Sequence, residues 1–339
     1  MAERLLRDNA QDAEPRLGFQ VGVRSPITAS RVCHLLASGL QIRQHWVGGK
    51  QMVGVLGLAL SVSIAAAPMV VLERDVAPFR AAADAAEKRL PGAQELEPSD
   101  PALADKLKDA SVVVAVGRKS LKAAREHVSS KPVVFCMVLG VSRMDLSGTV
   151  TGVPLEADPA SVLNQILSVL PHTHHVGLIY DPHASGLYLE HARAAAADKN
   201  ITLVLAPVSK GTEARDAVEA MIRKVDVLWL PPDPKLFTEE LATYVLSEAA
   251  ENKVPLMSFV ESHTAQGALA AVSASFAEVG DRAGQVAATI AALPEDKRLP
   301  VPPPVYAPGE LSLNLKSANA MGVDIPADAV GHAGSHVYR

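Results

Sequence analysis

Polar residues gathered at the ends of short apolar runs are the part of this sequence best placed to do chemistry. Asp181-Pro182-His183-Ala184-Ser185-Gly186 follows the run Val176-Gly177-Leu178-Ile179-Tyr180, and Pro231-Pro232-Asp233-Pro234 follows Val225-Asp226-Val227-Leu228-Trp229-Leu230. Pro182 stiffens its turn, and the N–H groups of the helix that begins after it can hold a carboxylate. The Ser185 hydroxyl adds a donor, and Tyr180 offers a ring or a phenol. Asp233 can accept from an ammonium group, and Ser258, Phe259 and Glu261 hold the same position after the run 254–259. Asp181, Ser185 and Asp233 serve equally well as helix caps, a routine role for these residue types. Capping and ligand contact are compatible, because backbone donors can do the holding. Nearer the N-terminus, Gly117-Arg118-Lys119-Ser120 opens another helix, so Gly117 and Ser120 are candidates for meeting an anion. Met137 can reach the same crevice, although methionine within a strand is more often core. The chemistry these residues suit is non-covalent capture of a small polar molecule.

Catalytic and metal chemistry fit less well. His172, His174 and His175 cluster in sequence, but at the opposite end of their strand from the polar tips and without partner carboxylates nearby in sequence. The segment 117–120 lacks the upstream glycine of a phosphate loop and has Arg118 where the lysine belongs. No strand is followed by Gly-x-Gly-x-x-Gly, and no serine sits in a nucleophile elbow. Cys136 lies in an apolar run and is inert if buried. Trp229, in mid-strand, reads as core. No catalytic residue, metal ligand or cofactor is assigned, and the chain reads as a non-enzyme.

Positioning the tips requires particular elements. Short apolar runs alternating with helical patterns predict an α/β fold with parallel sheets covered on both faces, and ligands in such sheets sit beyond the carboxyl ends of the strands. With 339 residues the chain exceeds one typical core. Two Rossmann-like lobes joined by a hinge are expected: lobe one over 68–150, lobe two over 151–275, and a hinge-crossing segment over 276–339. In lobe one, strands are predicted at 69–73, 94–97, 111–116 and 132–139, and helices at 77–90, after Pro101 and after Gly117. The segment 148–153 reads as the crossing into lobe two. A formal net charge of -5 gives no reason to expect nucleic acid or an anionic membrane surface as partner.

Before lobe one, Lys50 precedes the apolar run 52–64 and then Ala65-Ala66-Ala67. A basic flank, a short apolar stretch and an Ala-x-Ala end match a secretory signal peptide over 50–67, and the run is short for a membrane span. Residues 1–49 then read as a non-structured extension, with translation starting in fact near Val47 or Met52.

Residues 110–330 resemble the substrate-binding proteins of bacterial ABC transporters, in the group that includes tryptophan and tyrosine binders. The matching pieces are Thr151-Gly152-Val153, the stretch 176–186, the stretch 225–233, Lys253-Val254-Pro255-Leu256, Gly267-Ala268-Leu269-Ala270, and Leu313-Asn314-Leu315-Lys316-Ser317-Ala318 with Gly322 and Ile325-Pro326. The resemblance implies a periplasmic binding protein fold of type I, a small-molecule ligand clamped between closing lobes, and a membrane permease and ATPase as partners of an exported, periplasmic monomer. The sequence departs from the pattern at its start, where the opening Leu72-Glu73-Arg74-Asp75 and the elements after it are abbreviated. The ligand expected is an amino acid or related carboxylate. A ligand-sensing or interaction module without transport is the alternative on the same fold.

Overall fold

The computed structural model describes residues 66–339 except 142, 143, 145, 147, 210, 234 and 235. The extension, the apolar run 52–64 and the proposed translation start lie outside the described residues.

Runs of branched apolar residues flanked by Gly, Pro or Asp become strands buried on both faces. The first sheet has five strands in the order β2-β1-β3-β4-β5. Its members are β1 (Met69–Leu72), β2 (Gln94–Leu96), β3 (Val113–Val116), β4 (Val133–Cys136) and β5 (Val150–Val153), all parallel. Every residue of β1, β3, β4 and β5 is buried, as a sheet with helices on both faces requires. The segment predicted to cross into the second lobe is therefore β5, an edge strand of the first sheet, with the crossing just after it. Gly152 permits this pairing, since a Cβ there would overlap the Phe135 backbone on β4.

The second sheet has seven strands in the order β12-β11-β10-β9-β8-β6-β7. They are β6 (His175–Tyr180), β7 (Thr202–Pro207), β8 (Val227–Trp229), β9 (Leu256–Ser258), β10 (Ala270–Ala274), β11 (Gly309–Asn314) and β12 (Val337–Tyr338). Only the β10–β11 pairing is antiparallel. Trp229 is 1% exposed at the centre of this lobe, with its ring edge-on to Tyr188 at 5.8 Å.

Helix ends follow local chemistry, with two shifts from expectation. Asp158 caps Pro159–Val169 by accepting the Ala160 N–H at 3.1 Å. Thr238, not Asp233, caps Glu239–Glu251. In lobe one, the Asp100 carboxylate accepts the Ala102 N–H at 2.8 Å and holds a turn, so the helix begins only at Leu103.

The described residues belong to one unit in which the chain passes between the sheets three times. It leaves β5 through residues 154–158. It returns after β10 into the helix Phe276–Ala291, which packs along the first-lobe helix Ala77–Lys88. It crosses again through residues 306–308, where Ala307 bridges Ala157. Gly280 and Gly284 let the two helices approach closely: a Cβ on Gly280 would overlap the Ala82 carbonyl oxygen, and one on Gly284 would lie 2.7 Å from that of Ala86. Arg89 and Asp281 join the same helices through a two-pronged ion pair at 2.6 and 3.0 Å.

Candidate functional site: the cleft at the hinge

The carboxyl ends of both sheets open toward the three crossings, where a cavity of about 260 Å³ lies. Leu139 contributes to it from lobe one, Pro232, Phe259 and Glu261 from lobe two, and Glu156 and Phe276 from the crossings. Its size suits a small organic molecule.

Glu156 is the residue of this site that sequence reasoning missed. It is 6% exposed, and its Oε1 accepts the Gly140 N–H at 2.7 Å while Oε2 is buried with no hydrogen-bond partner among the described residues. Burial pushes its carboxyl up to about 7; the Gly140 N–H and Arg118 act against that rise, and the Asp233 charge adds to it. A charge inside the apolar sequence Val153-Pro154-Leu155-Glu156-Ala157, just after a strand, was the available signal.

The predicted residues fall into three groups. Phe259 and Glu261 line the cavity, with Phe259 packed near Phe237 and His263 at 6.5 and 6.1 Å. Glu261 Oε1 is already engaged, lying 2.8 Å from His336 Nδ1 and 3.4 Å from the Tyr338 hydroxyl, which donates to it. Asp233 is adjacent, 2% exposed, and accepts the Leu236 N–H at 3.1 Å, so it shapes the loop before the helix as well as facing Glu156 electrostatically.

A second group is turned to local structure. Ser258 is buried with its hydroxyl 2.7 Å from His263 Nδ1. Met137 has φ +58° and is 1% exposed in the core of lobe one. Tyr180 is half-buried against the core of lobe two. Ser120 is fully buried in the first turn of Arg118–His127.

The third group comprises the two proposed anion cradles, and here the chain supplies its own acceptors. Asp181 Oδ1 takes the His183 N–H at 2.8 Å, and the Asp181 carbonyl takes those of Ala184 and Ser185 at 3.0 Å each. Gly117 donates its N–H to the Cys136 carbonyl at 2.9 Å, and Glu73 Oε2 takes the Lys119 N–H at 2.7 Å. Arg118 donates to the Leu139 carbonyl, tying the helix to the loop after β4.

The histidines behave differently from the sequence reading in one respect. Asp226 supplies the carboxylate thought to be missing, accepting the His174 and His175 N–H groups at 2.8 and 2.7 Å. It organises the amino end of β6, away from the cleft, and no cluster able to hold a metal occurs among the described residues. Cys136 is fully buried, and burial pushes its thiol up to about 12.

The family model for ABC transporter substrate binding proteins matches residues 102–337, more than half of the chain. The chain belongs to that family. It is a family of binding proteins rather than of enzymes, whose members engage small molecules and transporter components. A tyrosine-binding protein of Clostridioides difficile is 23% identical over 185 residues, covering 52% of this chain. The chain spans about half of that relative, 53% of its length. Among solved structures, the ligand-free, open form of a substrate-binding protein with adhesive properties from Clostridium difficile matches with a TM-score of 0.55 at 16% identity, over 80% of this chain and 97% of that one. A conserved domain protein from Vibrio cholerae matches with a TM-score of 0.51 at 18% identity, over 81% of this chain and all of that one. These likenesses bear on the fold: two α/β lobes of the type I periplasmic binding protein class.

Proposed function

We propose that this protein is the exported, periplasmic substrate-binding component of an ABC transporter, capturing a small polar ligand of amino-acid size between two closing lobes. The observation that carries the reading is the cavity at the three crossings, lined by residues from both lobes and from the hinge itself. Rotation about residues 154–158, 274–276 and 306–308 brings Leu139 and Phe259 together over the cavity, and ligand binding favours that closed arrangement. The closed form then docks, as a monomer, on a membrane permease that an ATPase drives.

Phe259 and Phe276 suit an apolar or aromatic ligand body, and Glu156 with Asp233 suits a cationic nitrogen. The printed name of the curated relative, a tyrosine-binding protein, supports an amino-acid-like ligand. Among the described residues no helix is long and apolar enough to cross a membrane. Thermal-shift screening of the purified protein against amino acids and amines, with mass spectrometry of co-purified small molecules, tests the reading. A saturable rise in melting temperature supports it; no stabilising compound and no bound metabolite would remove the case for capture.

A further inference from the structure

One of the two places where the sequence offers a seat for a ligand carboxylate is filled by the chain itself. At the start of Arg118–His127 the Glu73 side chain, 6% exposed, accepts the Lys119 N–H. A Cβ on Gly117 would stand 2.5 Å from Glu73 Oε2 and 2.6 Å from the Phe79 ring, so this carboxylate lies packed on the helix start. Ahead of the other seat Asp181 takes the N–H groups of His183, Ala184 and Ser185, which hold the turn before the helix Gly186–Asp198. The cavity itself is lined by the acidic residues Glu156, Glu261 and Glu310 and, among the described residues, by no lysine or arginine. Arg118, which donates to the Leu139 carbonyl, is not among the residues that line the cavity. Glu156 Oε2 is buried and has no hydrogen-bond partner among the described residues, so the chain leaves the polar capacity of this carboxyl unmet.

We infer that the cleft selects small organic amines with an apolar or aromatic body, holding the ammonium at Glu156 and offering a free carboxylate no lysine or arginine among the described residues that line it. This rests on the cleft being the ligand site. An ammonium donates charge-assisted hydrogen bonds to Glu156 and satisfies its orphan oxygen. Phe259 and Phe276 cover the body and can face the cation with a ring. A ligand carboxylate in the same cavity meets Glu261 and Glu310 with no lysine or arginine among the described residues that line it, which discriminates by repulsion.

Calorimetric titration of the full chain with pairs that differ only by the carboxyl group tests this: tyramine and tyrosine, tryptamine and tryptophan, isopentylamine and leucine. The amine of at least one pair is expected to bind at least tenfold more tightly than its amino acid. Glu156→Gln is expected to reduce that amine's affinity tenfold or more while its melting temperature at pH 7 stays at or above that of the parent protein. If the amino acids bind as tightly as the amines or more so, the amine inference falls and capture stands. If no member of any pair binds, both fall.

Discussion

Glu156 in the first crossing and Gly140 in the loop after β4 are joined by a 2.7 Å hydrogen bond that ties the hinge to the mouth of lobe one. Gly140 has φ +67°, a backbone state that favours glycine, and it presents its N–H to the carboxylate from that state. The other carboxylate oxygen is left over.

That arrangement makes stability fall as pH rises. Burial raises the Glu156 carboxyl from 4.5 to about 7, so the folded state holds a proton that the unfolded state has released between those values. The cost of ionising it in place grows across that window to about 3 kcal/mol above it. Glu156→Gln is expected to be more stable than the parent protein at pH 8, with the difference vanishing near pH 4.5. Urea unfolding at a series of pH values measures this, and a pH-independent difference would contradict it.

The contact between Phe276–Ala291 and Ala77–Lys88 tolerates no added volume. Gly280 faces the Ala82 carbonyl oxygen and Gly284 faces that of Ala86. Gly280→Leu forces the helices apart and is expected to cost about 1–3 kcal/mol or more, as overpacking does. Arg89→Ala, which removes the exposed ion pair to Asp281, is expected to cost much less. Denaturant midpoints of the two variants should rank in that order.

Trp229 and Phe259 separate stability from binding. Trp229→Ala empties a fully buried site beside Tyr188 and is expected to cost about 3–5 kcal/mol. Phe259→Ala removes a half-buried cleft wall and is expected to weaken ligand affinity by roughly tenfold or more with a smaller loss of stability. Paired melting and titration data check both, and equal effects on both readouts would argue against the assignment.

The C-terminal strand carries its own pH dependence. The hydrogen bond to Glu261 is the main cause raising the His336 imidazole above its usual value. A raised histidine gives stability that is complete below the unfolded value and is lost as pH rises through the folded one. Amide exchange in Val337–Tyr338, corrected for intrinsic rates, is expected to lose protection on going from about pH 6 to about pH 9. In His336→Gln that change should flatten.

Much of this protein was legible in its linear pattern because burial on both faces of a sheet writes itself into composition. Val113–Val116 and Val133–Cys136 are unbroken apolar runs, and the polar residues that end the runs mark the edge where a cleft forms. Phe259 and Glu261, read that way, line the cavity at the crossings. The ligand seats proposed at Gly117 and Ser185 were read with the same logic. The pattern shows that a helix begins there but not which acceptor arrives at its N–H groups; Glu73 is 46 residues from Lys119 and meets it only because β1 and β3 are neighbours.

By itself, then, the sequence determined the alternation of strands and helices, the edge of each sheet that faces the cavity, and the membership of a binding family. Only the tertiary structure decided which polar groups face one another: that Glu156 stands buried in a crossing with an oxygen to spare, that Glu73 covers a helix start, and that Phe276–Ala291 rides on the first lobe. The reason is range. Periodicity and capping act within a few residues of the chain, whereas the pairing and desolvation of charges depend on groups brought together from far apart along it.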